Sequence, residues 1–441
     1  MLSVQQKELD PEFHNSTSHT EFRLNDLNIT YLSSMRLANL CVFGTNANGK
    51  PYNNACGVKA LIKNITLYDG SVVLAQLNNS GPYLAFKGIN RNNSDQRDKR
   101  KVNLDKVAMT NRSIGVETGN LYVNQIGTAE SQNIGSAGDT EAHAEKGYLD
   151  LSEVLHELRS LRYLPTSLFK NLRLFIQWNT DPKAVLAEVG ATAHNPVSAL
   201  QVGTPLLIVD CISDAKAQSS LLSAMKNLSM ISIENERVSI PEVASGDTQT
   251  IDLVLKGYDN KTIRRVLFVN SPTSEIEGVV RTTDAGDPTN EGNVLCNGKL
   301  NSLAQNNLTL QLTVNGSNLF NGAGLRGVNR RAGVLADTFG DVILTQYGNS
   351  TGVYGPTTNG HSNDGATRNI FHFGYGRDYT GFNVNASIRT LQLSYSRTGL
   401  VVGAVEIVRP QAFNQALDLN MYAEVIKSFT VSGNSYNIAY I

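Results

Sequence analysis

Apolar and polar residues alternate with a period of two over residues 61–77, LIKNITLYDGSVVLAQL, and again over residues 308–320, LTLQLTVNGSNLF. A period of two is the signature of a half-buried strand, because successive side chains point to opposite faces. In both stretches the alternating run meets a glycine-centred turn and a second short run follows. Gly70 and Gly316 lie 246 residues apart (316 − 70), a little over half of the 441-residue chain. Asp69-Gly70 and Asn315-Gly316 are pairs that tolerate positive φ and reverse a chain with the right-handed strand twist. The prediction is two β-hairpins in equivalent positions of two similar β-sandwich domains, with Leu172–Trp178 and Leu391–Tyr395 as a second equivalent pair of strands.

The rest of the pattern extends this picture. Residues 1–20 are polar and read as an arm or disordered lead. Strand signals begin at Phe22 with FRLNDLNITYLSS and continue through LCVFGT, while PLLIVDC (205–211) reads as a buried strand. The clearest helix is predicted over 151–163: Asp150 can cap, Glu153 follows three residues on, and Leu151, Val154, Leu155, Leu158 and Leu161 share one face before Pro165. Residues 214–229 read as a short helical or irregular connector, with a domain boundary near 215–220. RVSIPEV, TIDLVLKGYDNKTIRRVLFVN, LQLSYS, LVVGAVEIV and the hairpin SFTVSGNSYNIAY on Gly433-Asn434 supply strands to the second half. Residues 91–101, 125–147 and 345–386 carry little to bury and read as long loops, which are often functional surfaces. Many short strands with one or two short helices make an all-β fold.

Composition narrows the function. Charged residues are 17% of the chain, low for a soluble domain, and the net charge is −1. Nothing global draws it to nucleic acid or to an anionic membrane. Cys41, Cys56, Cys211 and Cys296 form no CxxC pair and read as reduced structural thiols. The N-terminus has no apolar leader core, and no apolar run approaches the ~20 residues of a membrane span. The sequons at Asn28 and Asn64 read as chance.

Several motifs touch on chemistry, and each is weaker than its regular form. Gly322, Gly324 and Gly327 match G-x-G-x-x-G, but in an all-β setting without the strand and helix that bind a dinucleotide they read as a turn. Gly348-Asn349-Ser350-Thr351-Gly352 matches a nucleophile elbow, yet Pro356 and glycines break any following helix and His361 lies in the same loop. Asp284, Asp287, Asn290 and Glu291 lack the EF-hand ligand order. Arg97, Lys99, Arg100 and Lys101, and separately Arg326, Arg330 and Arg331, are short basic runs without interleaved aromatics. The seven histidines (His14, His19, His143, His156, His194, His361, His372) show no metal-ligand spacing. The expectation is no catalytic residue, no metal site, no cofactor and no enzymatic activity.

The stretches LIKNITLYDGSVV, YLDLSEVLHELRSLRYLPTSLFKNLRLFIQWNTDP and LDLNMYAEVIKSFTVSGNSYNIAY together resemble the double jelly-roll major capsid proteins of eukaryotic DNA viruses. Among these the chain looks most like the small versions of polinton-like viruses and virophages. The resemblance implies an arm over 1–20 and two eight-stranded jelly rolls over 21–215 and 216–441. It also implies pseudo-hexagonal homotrimeric capsomers that tile an icosahedral shell, with modest outer insertions at 125–147 and 345–386. The implied partners are further copies of the chain, with penton and minor capsid proteins, and no sequence-specific nucleic acid. The implied location is the virion, assembled inside the host cell without secretion. The alternative reading is a carbohydrate-binding tandem β-sandwich using Tyr347, Tyr354, Tyr375 and Tyr379 as sugar platforms.

Overall fold

The computed structural model describes residues 4–24, 26, 28–44, 52, 58–90, 137–144, 146–180, 185, 200–272, 307–339, 378–399, 414, 416–433 and 435–441. Eight principal strands precede residue 213: β1 (Val4–Leu9), β2 (His19–Leu24), β3 (Arg36–Leu40), β4 (Ile62–Asp69), β5 (Val72–Leu77), β6 (Gly147–Asp150), β7 (Leu172–Trp178) and β8 (Leu206–Ile212). They form two antiparallel sheets with the orders β1-β8-β3-β6 and β2-β7-β4-β5. Eight more follow residue 227: β9 (Leu228–Ile240), β10 (Thr248–Val254), β11 (Thr262–Pro272), β12 (Leu308–Val314), β13 (Ser317–Asn318), β14 (Asp378–Ser387), β15 (Leu391–Thr398) and β16 (Leu417–Ser432). Their sheets are β9-β16-β11-β14 and β10-β15-β12-β13. Adding eight to every strand number of the first pair of sheets gives the second pair. A last strand, β17 (Ser435–Tyr440), turns back along the end of β16.

Alternation explains the sandwiches. Along β7, Leu172, Leu174, Ile176 and Trp178 are buried and the residues between them are half-exposed. Along β12, Leu308, Leu310, Leu312 and Val314 are buried, as their spacing predicts. Each such side chain contributes about 1.5–3 kcal/mol on burial, and a slip of one residue would turn the whole set to solvent. The sheets, each with four principal strands and one or two short additional ones, stack on their partners through these faces, as in any β-sandwich.

The structure departs from the sequence expectations in several places. Val4–Leu9, read as part of an arm, is a full strand paired with β8 from Val4↔Ile212 to Leu9↔Leu207. The helix expected over 151–163 is two short pieces, a 3-10 turn at Leu151–Glu153 and a five-residue α2 (Glu157–Leu161). Asp150 does accept from the Ser152 amide at 2.9 Å. Glu153, however, bonds the Lys59 ammonium at 2.6 Å instead of closing a capping box. Arg162, at φ 57°, ends α2, and Pro165 belongs to a short strand beyond it. Helices α1 (Ser80–Asn90) and α4 (Val328–Phe339) were not foreseen, whereas α3 (Ala215–Ala224) falls in the expected connector. The described end of the 345–386 segment is not loop but strand β14. Ala137 and Ala144, within the 125–147 segment, are buried. The strand expected at LVVGAVEIV lies outside the described residues.

Among the described residues no strand of one half pairs with a strand of the other. The halves nonetheless share a core. Phe86 of α1 meets Phe339 of α4 and Tyr379 of β14, with ring centroids 5.2 and 5.3 Å apart. Tyr83 meets Tyr422 at 5.3 Å, and Phe169 meets Phe429 at 6.0 Å and Tyr436 at 4.9 Å.

Candidate functional site

Two structural devices recur or converge, and both concern holding strands together. The first is the anchoring of the equivalent hairpins. Asp69 pairs with Val72 and Val314 with Ser317, so each loop holds two residues. Gly70 alone has positive φ (61°) in the first, the arrangement with glycine leading a II′ turn; Asn315 (52°) and Gly316 (81°) both have it in the second, as type I′ requires. The first turn is thus Gly70-Ser71 rather than Asp69-Gly70, and Asp69 is left free to act as an anchor. Its Oδ1 accepts from the Asn171 amide at 2.6 Å, while the Gly70 amide donates to Asn171 O at 3.1 Å. Asn315 Oδ1 accepts from the Arg389 amide at 2.6 Å and the Thr390 amide at 3.2 Å, and its own amide donates to Thr390 O at 2.9 Å. Asn171 and Thr390 directly precede β7 and β15, so both hairpins clasp the same point of the fold.

The second device is the seam between the halves. Tyr422 of β16 donates its hydroxyl to Asn79 O at 2.6 Å, and Asn79 Nδ2 donates to Asn420 Oδ1 at 2.6 Å. The Tyr436 hydroxyl of β17 donates to the remaining Asp69 oxygen at 2.9 Å; its pKa is raised, chiefly by burial and then by that bond. Lys427 of β16 donates to Ser232 of β9 at 3.0 Å, and Glu157 of α2 is fully buried beside them. Sequence reasoning singled out Asp69 as a turn residue and none of the other polar residues. Their only signal is polarity at positions within apolar runs, such as Asn420 in LDLNMYAEV.

The outward faces of the two equivalent sheets differ in chemistry. On the first, Glu21 accepts from Arg173 at 2.7 Å and from the Tyr68 hydroxyl at 2.6 Å. Burial alone would raise the Glu21 pKa, but these two donors and the Arg173 charge outweigh it and bring the carboxyl below its usual value. On the second, hydroxyls face one another across β10 and β15: Thr248 with Thr398 and Thr250 with Ser396, each at 3.0 Å.

The residues with candidate chemistry are not brought together. Gly322, Gly324 and Gly327 all have positive φ and do precede a helix, α4, contrary to expectation. The strand amid them, Leu325–Arg326, nevertheless runs antiparallel to β12, and a Cβ at Gly324 would meet Gln311 Oε1 and Leu310 O at 2.9 Å each. Arg331 is buried and donates to Leu308 O at 2.8 Å, while Arg330 lies over the Phe320 ring at 5.6 Å. Only Arg326 and Arg330 of that run remain at the surface. His14 bonds Thr20 Oγ1 at 2.7 Å and has its pKa lowered by burial; His143 pairs with Asp139 at 2.6 Å; His19 stacks between Phe13 and Phe175; His156 meets the Tyr83 hydroxyl at 3.0 Å. Asn64, of the second sequon, donates its amide to Gln177 at 2.6 Å. Cys41 and Cys211 are buried thiols, and burial raises both pKa values, that of Cys41 to about 11. Tyr379 is buried in the seam, which removes it as a sugar platform. Ser350, His361, His194, His372, Asp284, Asp287, Asn290, Glu291, Arg97, Lys99, Arg100, Lys101, Cys56, Cys296, Tyr347, Tyr354 and Tyr375 lie outside the described residues. Among the described residues, no three His, Cys, Asp or Glu side chains gather as a metal site, and no helix is long and apolar enough to cross a membrane.

Two eight-stranded sandwiches with identical strand order in one chain make a double jelly roll, the fold of the double jelly-roll major capsid proteins. The chain is similar along its whole length to the VP54 protein of the virus PBCV-1, whose crystal structure was fitted into a cryo-EM reconstruction of the virophage Sputnik: TM-score 0.60 and 13% identity, covering 100% of this chain and 98% of that one. A chain of the quasi-atomic PBCV-1 capsid matches with a TM-score of 0.53 at 13% identity, over the same shares. No protein-family model matches the sequence, and no curated protein matches it.

Proposed function

We propose that this chain is the major capsid protein of a small eukaryotic DNA virus of the polinton-like or virophage type. One observation carries the reading: two complete jelly rolls with one strand order, joined through a shared apolar seam, that align end to end with a PBCV-1 capsid chain. Two like wedges per chain, taken three times, make a pseudo-hexagonal trimer, and such trimers tile the flat facets of an icosahedral shell. The rolls correspond to residues 21–215 and 216–441, with the N-terminal segment contributing β1. The polar outer faces and the long loops supply the lateral contacts. The chain works by shape and carries no catalytic centre; penton and minor capsid proteins complete the virion.

The test is negative-stain electron microscopy of concentrated, purified protein. Pseudo-hexagonal particles that merge into sheets or shells are expected. Uniformly small, asymmetric particles at every concentration would refute the reading. A fluorophosphonate probe should leave Ser350 unlabelled.

A further inference from the structure

One ionisable side chain is buried in the seam without a well-formed hydrogen bond or ion pair among the described residues. Glu157, the first residue of α2, has no exposed surface. Among the described residues neither of its carboxyl oxygens has a hydrogen-bond partner of good geometry, and no cation reaches ion-pair distance. The groups around it come from five elements. From β9 come Ser232 and Glu234, from β16 Lys427 and from β17 Tyr440; β5 presents Gln76, which is uncharged. From α1 comes Tyr83, which engages His156, the residue before Glu157. Arg159, on the same helix, is exposed and donates to Ser152 O at 3.0 Å.

Among the described residues, Lys427 is the ammonium whose field reaches Glu157, and it is committed elsewhere. It donates to Ser232 Oγ at 3.0 Å, lies 3.9 Å from Glu234 Oε1 and sits 5.0 Å over the Tyr440 ring. Glu234 is in turn held by Lys261 at 2.7 Å and by the Tyr440 hydroxyl at 2.7 Å. An ionised Glu157 would therefore sit in a dry seam facing the field of Lys427 without a bond to it, the arrangement in which desolvation outweighs attraction.

We propose that the seam is a proton-linked joint: Glu157 is seated as the neutral carboxylic acid, and loss of its proton to solvent weakens the packing of α2 against β9 and β16. Burial raises the Glu157 pKa from 4.5 to about 7, against smaller lowering by Ser232, by backbone amides and by Lys427. The sign follows from linkage. Below pH 4.5 the carboxyl is neutral in both folded and unfolded chains, and the seam has its full strength. As pH rises from 4.5 to about 7 the unfolded chain releases this proton first, so stability falls; above about 7 the loss is complete. That interval corresponds to a change on the order of a hundredfold in the folding equilibrium constant. The joint tightens in acid and loosens toward alkaline pH.

The experiment uses the full chain and its Glu157→Gln variant, with urea unfolding and amide hydrogen exchange measured from pH 4 to 9 and corrected for intrinsic exchange. The expected result is that the variant gains on the wild type as pH rises from 4.5 to 7, by on the order of a hundredfold in equilibrium constant, and stays level beyond. Protection of residues 157–161 and 228–233 should fall with pH in the wild type and not in the variant. Parallel stability curves would overturn the proposal. So would a variant that is already less stable than the wild type at pH 5 and stays so up to pH 9, because Glu157 would then be a carboxylate partner of Lys427, with its contribution present above the unfolded value of 4.5. Should the variant not fold, wild-type exchange decides alone: seam protection independent of pH refutes the joint.

Discussion

Asn315 does two things with one residue. Its backbone adopts the left-handed conformation that the I′ turn needs, and its side chain bonds the amides that lead into β15 and donates to Ser387 O at 2.9 Å. Asn315→Ala should cost about 2 kcal/mol. Exposed hydrogen bonds each contribute toward the lower end of 0.5–1.5 kcal/mol, and a non-glycine left-handed residue without a helpful side chain adds roughly 1 kcal/mol. Asn315→Gly should recover the backbone share only. Equilibrium urea denaturation reads both. At Arg265 the stakes are higher: its guanidinium holds the buried Glu424 through two bonds, 2.7 and 2.8 Å, and donates to Thr338 O at the end of α4 at 2.9 Å. Arg265→Ala leaves the buried carboxylate with only the long contact to the exposed Arg264 at 3.9 Å and should cost about 3–5 kcal/mol, and Arg265→Lys should recover little, lacking the fork. The same denaturation series checks it. At this scale the Asn315-Gly316 turn was legible, because Asn-Gly has few other uses between alternating runs, while the first turn lies one residue later than Asp69-Gly70. The bonds to Arg389 and Glu424 were not, since nothing in a linear chain announces a partner 74 or 159 residues away.

Strands were legible where alternation was clean, as in β4, β7 and β12. The first half of strand β14 was hidden because Tyr379, Thr380, Gly381 and Phe382 are all buried, with helix α4 covering the sheet; the alternation that does follow, from Phe382 through Val384 and Ala386 to Ile388, is short and sits at the end of a Gly- and Asn-rich stretch. Gly381 is glycine for that reason: a Cβ there would meet Phe339 at 3.0 Å and Leu335 at 3.1 Å. Gly381→Ala should therefore push α4 outward and cost about 1–3 kcal/mol, read as a lowered thermal midpoint. Helix α4 itself escaped notice because Arg331 occupies an inward position that a hydrophobic-face reading treats as surface. The window 151–163 had the right buried residues but the wrong continuity. Leu151, Val154, Leu155, Leu158 and Leu161 are all fully buried, yet the Glu153–Lys59 ion pair replaces the expected cap. The energetic expectation survives the change of shape. Leu155→Asp puts an unpaired carboxylate into that core, and several kcal/mol of destabilisation should follow, seen as loss of soluble, cooperatively folding protein.

For the whole molecule, the duplication was visible in two hairpins and the structure extends it to all sixteen principal strands. What the duplication hides is the asymmetry that makes one chain of two rolls. Among the described residues, the second roll alone sends a long last strand and a returning β17 across to the first, where Phe169, Phe429 and Tyr436 pack together. The first, in turn, sends α1 against α4 and β14. The outer sheet faces diverge as well, charged on the first roll and hydroxyl-lined on the second, as they would if each met a different neighbour in a ring of six wedges. That ring is the central claim, and its mass tests it most directly. Multi-angle light scattering of the purified chain at micromolar concentration should give a stable species of three times 47.9 kDa. Obligate interfaces of this kind bury roughly 2,000–5,000 Å², so the trimer should persist on dilution. A stable monomer at those concentrations would contradict the account.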